Sequence, residues 1–181
     1  HGFQGEYWST EITWCSEEFP WCQPADQPWG QQKTDLLAAK YYARGIVMHL
    51  GMDVGTAVGG FQTAAPWSYP TLRNLNTVMA GTRPTSLTVK IEGDASNIMS
   101  YGFILPNGDK LFALWTNGAA VEDDPGVSTM LTFSGLSAQK VVGIDVFYGL
   151  EQELITETKN GNLVIRNLLV KDYPIILRLT D

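Results

Sequence analysis

Apolar residues recur at helical spacing over residues 31–50 (QQKTDLLAAKYYARGIVMHL). Leu36, Ala39, Ala43, Ile46 and Leu50 fall on one side, and Lys40 and Arg44 on the other. Gly51 follows as a stop, so this stretch predicts a helix. Ahead of it, residues 5–13 are rich in Tyr, Trp, Thr and Ile and predict a strand. Behind it, Val54, Ala57, Val58 and Phe61 predict a short Gly-rich strand. Ser68-Tyr69-Pro70 then opens a second helix, in which Leu72, Leu75 and Met79 repeat every three to four residues until Gly81. The order strand, helix, strand, helix is the one that builds parallel α/β architecture.

At Gly81-Thr82-Arg83-Pro84 the pattern changes, and no later stretch has a helical period. About eight short segments follow with period-two or β-branched character: Ser86–Glu92, Ile98–Leu105, Lys110–Thr116, Ser128–Phe133, Lys140–Phe147, Gln152–Thr158, Leu163–Val170 and Tyr173–Leu179. Asn107-Gly108 and Asn160-Gly161 are hairpin signals, because Asn and Gly tolerate the positive φ of a type I′ turn. Eight strands in a stretch of this length predict an antiparallel β-sandwich. The expected fold is therefore mixed α+β, with two βα units over 1–83 and a β-sandwich over 84–181.

Composition narrows the function. The chain has 181 residues, 44% hydrophobic and 17% charged, which supports one or two small domains with a real core. No apolar run approaches the roughly 20 residues of a bilayer span. His1 opens with neither a start Met nor a basic leader, which points to a soluble chain cut or processed from a longer one. The net charge of −7 disfavours nucleic acid and anionic membranes as partners. Five of the six tryptophans, Trp8, Trp14, Trp21, Trp29 and Trp67, lie before residue 68, and Trp115 is the sixth. The two parts of the chain are thus expected to do different work.

The candidate chemistry centres on Glu11, near the end of the first strand and flanked by Trp8 and Trp14. In parallel α/β folds, sites form at the C-terminal ends of strands. A carboxylate there can serve as nucleophile or general base, while Trp faces stack on sugar C–H surfaces. An ordinary half-exposed strand Glu is the competing reading, and Trp8, Trp14 and Trp67 are equally explained as core. Cys15 and Cys22 bracket Pro20-Trp21 on the following loop. In an exported chain, extracellular or periplasmic, a disulfide here would contribute about 2–3 kcal/mol; two free thiols is the alternative, and the sequence does not fix the compartment. Glu17, Glu18 and Asp26 share that loop and line either a polar subsite or a solvated face. Glu122-Asp123-Asp124 lacks the spacing of a calcium loop and reads as an acidic turn. No metal or cofactor is expected: His1 and His49 are the only histidines, and neither has a partner at ligand spacing. They also leave no plausible Ser-His-Asp set.

Thr10-Glu11-Ile12 at the end of a strand resembles the nucleophile strand of the clan A glycoside hydrolases, the (β/α)8-barrel retaining enzymes, in which this Glu closes strand seven. The Trp-rich loop 15–30 is similar to the loop after that strand. The helix carrying Ala-Lys-Tyr-Tyr-Ala-Arg-Gly resembles helix seven, residues 53–61 resemble strand eight, and Tyr69–Ala80 with its Leu-Arg-Asn-Leu run resembles helix eight. Residues 84–181, with Tyr101-Gly102-Phe103, Leu114-Trp115-Thr116 and Asp172-Tyr173-Pro174, are similar to the β-sandwich that often follows the barrel.

The resemblance implies a partial barrel segment joined to a sandwich and a carbohydrate substrate. It also implies a double displacement in which two carboxyl groups, roughly 5–5.5 Å apart, flank the glycosidic bond. Glu11 maps to the nucleophile; the acid/base, usually in an Asn-Glu pair on strand four, has no counterpart in this sequence. The aromatic residue expected near the end of strand eight is replaced by Gly59-Gly60, with Phe61 and Trp67 as substitutes. Two βα units cannot close a barrel. The chain alone is thus expected to be inactive, and residues 1–83 to pack on the sandwich, on another copy or on the missing barrel portion. The alternative is a non-catalytic carbohydrate-binding or structural sandwich module. Against a binding role, several of the aromatic residues after residue 84 sit at core-facing positions.

Overall fold

The computed structural model of the chain describes residues 5–14, 33–59, 65–93 and 97–180. Cys15, Cys22, Glu17, Glu18, Asp26 and Phe61 lie outside these residues. The described elements are β1 (Tyr7–Ile12), α1 (Asp35–Gly51), β2 (Val54–Val58) and α2 (Ser68–Met79), followed by β3 (Arg83–Thr85), β4 (Val89–Gly93), β5 (Ile98–Ile104), β6 (Lys110–Thr116), β7 (Val127–Phe133), β8 (Lys140–Asp145), β9 (Leu150–Glu153), β10 (Thr156–Lys159), β11 (Asn162–Val170) and β12 (Ile175–Thr180). The fold is mixed α+β, as the periodicities predict. β1 and β2 form a two-stranded parallel sheet, and the remaining strands form an antiparallel four-stranded sheet, β10-β11-β7-β4, and a six-stranded one, β3-β5-β6-β12-β8-β9.

Local chemistry explains the helix ends. α1 starts at Asp35, inside the predicted stretch 31–50 and one residue before its first apolar position, because Thr34 is a proper N-cap: its hydroxyl accepts from Leu37 N at 3.3 Å. α2 has no cap from its own preceding residue. Its first amides are instead satisfied from α1, where the Asp35 carboxylate accepts from Trp67 N at 2.6 Å and Ser68 N at 3.1 Å, and from the Ser68 hydroxyl.

The core is built in layers around the six-stranded sheet. On one face Ala38, Tyr42, Ile46, Leu72, Leu75 and Val78 from the helices meet Phe103, Leu111, Ala113, Trp115, Ile144 and Ile176. On the other face Phe112, Leu114, Leu177 and Leu179 meet Leu131, Phe133, Leu163 and Ile165 of the four-stranded sheet. β6 is therefore buried on both sides from Leu111 to Trp115, which is why Leu-Phe-Ala-Leu-Trp reads as an unbroken apolar run. Gly51 lies so close under the Tyr101 ring that a Cβ there would collide with it. Six of the eight aromatic residues after residue 84 are buried, and Tyr148 is the exposed one, at 58%.

Three features add to or correct what the periodicities predict. Lys40 and Arg44, the charged side of α1, are buried: they are 3% and 8% exposed. Lys40 Nζ sits 2.8 Å from Asp172 Oδ1 and donates to Val121 O at 2.5 Å. Arg44 Nε donates to Asp172 O at 2.5 Å, and Nη1 to Gly118 O at 2.6 Å. Buried cations are stable there because a carboxylate and three carbonyls answer them. Secondly, Gln152–Thr158 is not one strand. The chain leaves the six-stranded sheet after Glu153 and enters the four-stranded sheet at Thr156, so the segment supplies β9 and β10. With the short β3 added, ten strands rather than about eight follow α2 among the described residues. Thirdly, Asn107-Gly108 is not a type I′ turn. Leu105 N donates to Asp109 O at 2.8 Å around a longer loop, and only Gly108 takes a positive φ, 94°. Asn160 and Gly161, with φ of 53° and 74° between the paired Lys159 and Asn162, do form the expected turn.

Candidate functional site

β1 and β2 run in register from Tyr7 opposite Val54 to Ile12 opposite Val58, with an irregularity between Ser9 and Ile12. Glu11 lies inside that irregularity, at the C-terminal end of the strand, and its side chain is exposed. A break in a ladder re-aims the side chains within it, a common device beside sites. The Glu11 carboxylate accepts from the Thr13 hydroxyl at 3.0 Å, and that hydroxyl also lies 3.3 Å from Gly59 O. Gly59, just past β2, makes room for it: a Cβ there would sit 2.7 Å from Glu11 Oε1. The Gly59 that stands where an aromatic was expected is thus the residue against which the candidate nucleophile lies.

Tyr42 of α1 fixes this end of the sheet from below. Fully buried, its hydroxyl accepts from Trp14 N at 3.1 Å and lies 3.2 Å from Gly59 O and 3.4 Å from Trp14 O, so it links the ends of both strands. Burial raises its pKa above the ordinary 10.0; the backbone bond with Trp14 opposes this, and the charges of Asp35 and Glu11 add to it. Sequence reasoning missed Tyr42, Thr13 and Gly59 as site residues. The Tyr-Tyr pair in α1 was a visible signal, but its target was not.

The tryptophans do three different things. Trp8 is 63% exposed, with its ring over Gly55 of β2 and its indole N–H donating to Glu6 at 3.1 Å. Half-buried Trp14 stacks on Tyr41 with ring centroids 4.7 Å apart, next to Glu11's strand end. Trp67 is also half-buried, at the start of α2. It stacks on Phe147 at 5.1 Å and meets Tyr148 edge-on at 5.9 Å, placing it in an aromatic cluster with the sandwich. Trp14 is therefore the tryptophan tied to the Glu11 end through the Tyr42 hydroxyl. Among the described residues, no group of three or more His, Cys, Asp or Glu is placed to hold a metal ion, and no helix is long and apolar enough to cross a membrane.

Neither a known family profile nor a curated protein matches the chain. Among solved structures, the catalytic domain of GH30 xylanase C from Talaromyces cellulolyticus aligns with 99% of this chain at a TM-score of 0.54 and 13% identity. The chain shares its fold with the part of that domain it aligns to. This chain spans 42% of the length of that catalytic domain.

A second buried tyrosine gives the fold a pH dependence. The Tyr173 hydroxyl donates to Asp145 Oδ2 at 3.0 Å, and burial first, then the Asp145 charge and that bond, push its pKa above 10.0. The folded state thus keeps protons on Tyr42 and Tyr173 that the unfolded chain releases near pH 10. Stability is intact below that pH and falls above it, by up to about 1.4 kcal/mol per pH unit for each tyrosine. Urea titrations between pH 8 and 11 check this: Tyr173→Phe is expected to flatten the alkaline decline, and an unchanged slope would refute it.

Proposed function

We propose that this chain is the C-terminal part of a retaining glycoside hydrolase of the (β/α)8-barrel clan. It would supply the last two βα units, the nucleophile Glu11 and the trailing sandwich. The supporting observation is the position of Glu11, an exposed carboxylate at the C-terminal end of a parallel strand, in a chain of which 99% aligns with part of a xylanase catalytic domain. Among the described residues, β1 and β2 pair only with each other, and Tyr7 and Trp8 stand 59% and 63% exposed at their start. Such open edges fit strands that continue into a larger sheet. The named activity of the structural neighbour makes xylan the first polysaccharide to test.

In this reading Glu11 attacks the anomeric carbon, the leaving oxygen takes a proton from an acid/base carboxyl supplied by the preceding barrel strands, and water then releases the sugar. Thr13 and Gly59 orient the nucleophile, and Tyr42 keeps the two strand ends at a fixed separation. Trp8, Trp14 and Trp67 remain proposed substrate contacts, with Trp14 the strongest by position.

Hydrolysis of xylan and aryl xylosides tests the proposal. The 181-residue chain alone is expected to show no turnover. A longer polypeptide carrying six further βα units ahead of it is expected to be active, and Glu11→Gln to reduce that activity by about 10⁴-fold or more. A longer enzyme indifferent to Glu11→Gln would refute the nucleophile. Glu11-dependent turnover by the chain alone would refute its incompleteness.

A further inference from the structure

The sequence holds three Asn-Gly pairs, Asn107-Gly108, Asn117-Gly118 and Asn160-Gly161. This dipeptide is chemically labile, because glycine leaves the following amide nitrogen unhindered for attack on the asparagine side chain. As free peptides the three would age alike. The fold treats them differently.

At Asn107 both side-chain atoms are held, with Nδ2 donating to Asp109 Oδ2 and Oδ1 accepting from Asp109 N, each at 3.1 Å. The nucleophilic amide is also engaged, since Gly108 N donates to Leu105 O at 2.9 Å. At Asn117 the backbone is clamped on both sides. Asn117 N donates to Asn97 O at 2.9 Å, Asn117 O accepts from Asn97 Nδ2 at 2.5 Å, and Gly118 O accepts from the buried Arg44. Attack requires rotation about the Asn backbone, which these bonds oppose.

Asn160 has none of these restraints. It is exposed, its side chain has no hydrogen-bond partner among the described residues, and Gly161 N makes no backbone hydrogen bond there. Its hairpin joins β11 to β10, a four-residue strand at the edge of the four-stranded sheet, whereas the Asn107 loop joins β5 and β6, both interior to their sheet. Edge hairpins open locally at the lowest cost. We propose that Asn160 is a built-in modification site, the position at which this protein deamidates and isomerises first.

In the reaction Gly161 N bonds to Asn160 Cγ, the Cγ–Nδ2 bond breaks, and Nδ2 leaves as ammonia carrying the proton lost from Gly161. Water then opens the five-membered imide at either carbonyl, giving aspartate or isoaspartate. Each event takes the net charge from −7 to −8. The isoaspartate form also adds a backbone methylene to a two-residue turn whose geometry sets the Lys159–Asn162 register.

Trypsin separates the three pairs onto peptides 91–110, 111–140 and 160–166. The full chain, incubated at mildly alkaline pH and 37 °C, would be mapped by mass spectrometry, with isoaspartate methylation as a second readout. Peptide 160–166 is expected to convert first, and the same chain in urea to convert at all three pairs at comparable rates. Earlier conversion of 91–110 or 111–140 in the folded chain would overturn the proposal. So would equal rates at all three, or a folded chain that stays unchanged while the unfolded one converts. Asn160→Asp marks the product on an acidic-shifted gel and is expected to remove the early-converting species.

Discussion

Replacing Asp172 by alanine is expected to destabilise the chain by about 3–5 kcal/mol, read as the shift in its urea unfolding free energy. Asp172 is 4% exposed and serves two buried cations of α1 at once. Its Oδ1 lies 2.8 Å from Lys40 Nζ, its Oδ2 accepts from Val121 N at 2.8 Å and lies 3.9 Å from Arg44 Nη2, and its amide donates to Asp124 Oδ2 at 2.7 Å. Burial lowers the pKa of Arg44, and the negative charge of Asp172 is what most strongly opposes that. Losing one partner of such a group leaves charge buried without an answer, and that costs more than the ion pair itself contributes. Asp172→Asn keeps an acceptor for Val121 and should cost less than alanine. A loss under about 1 kcal/mol for alanine would mean that water reaches the two cations and screens them, as at a surface pair.

Asp35→Ala is the second large effect, at about 2–4 kcal/mol. This carboxylate, 3% exposed in the first turn of α1, accepts from two amides and one hydroxyl at the start of α2. α2 has no other side-chain cap, so the substitution strands those donors in a buried place. Thermal unfolding and amide exchange at Ser68–Leu72 would report it, with protection lost first at the α2 start. Asp35→Asn should recover part of the loss, because one oxygen acceptor survives. Unchanged exchange in the alanine variant would show that packing of Leu72 and Leu75 alone holds the helix end.

Much of the fold was legible because it is written in short-range periodicity. Leu72, Leu75 and Met79 mark α2, and Ser128–Phe133 alternates into β7 as a half-buried strand should. The Gln152–Thr158 segment shows where this fails. A run of strand-forming residues carries no mark of the point where the chain changes sheets, since both sheets accept the same residue types. At the candidate site Glu11 was legible from its place at a strand end among aromatics. Its supports were not: Tyr42 lies 17 residues from Gly59 and 28 from Trp14, and hydrogen bonds over such separations leave no local pattern.

The sequence by itself determined the order strand, helix, strand, helix up to α2, the strand-rich character of the stretch that follows, the Asn160-Gly161 turn and the candidacy of Glu11. Each depends on a residue's own conformational preference or on neighbours within a few positions. Only the tertiary structure decided what each face meets. Lys40 and Arg44 read only as the charged side of a helix until Asp172, 128 residues beyond Arg44, is folded against them. Gly59 reads as a missing aromatic until the Glu11 carboxylate lies against it. Helical and strand periods state which side of an element is apolar or charged, and the identity of the partner on that side depends on how the whole chain packs.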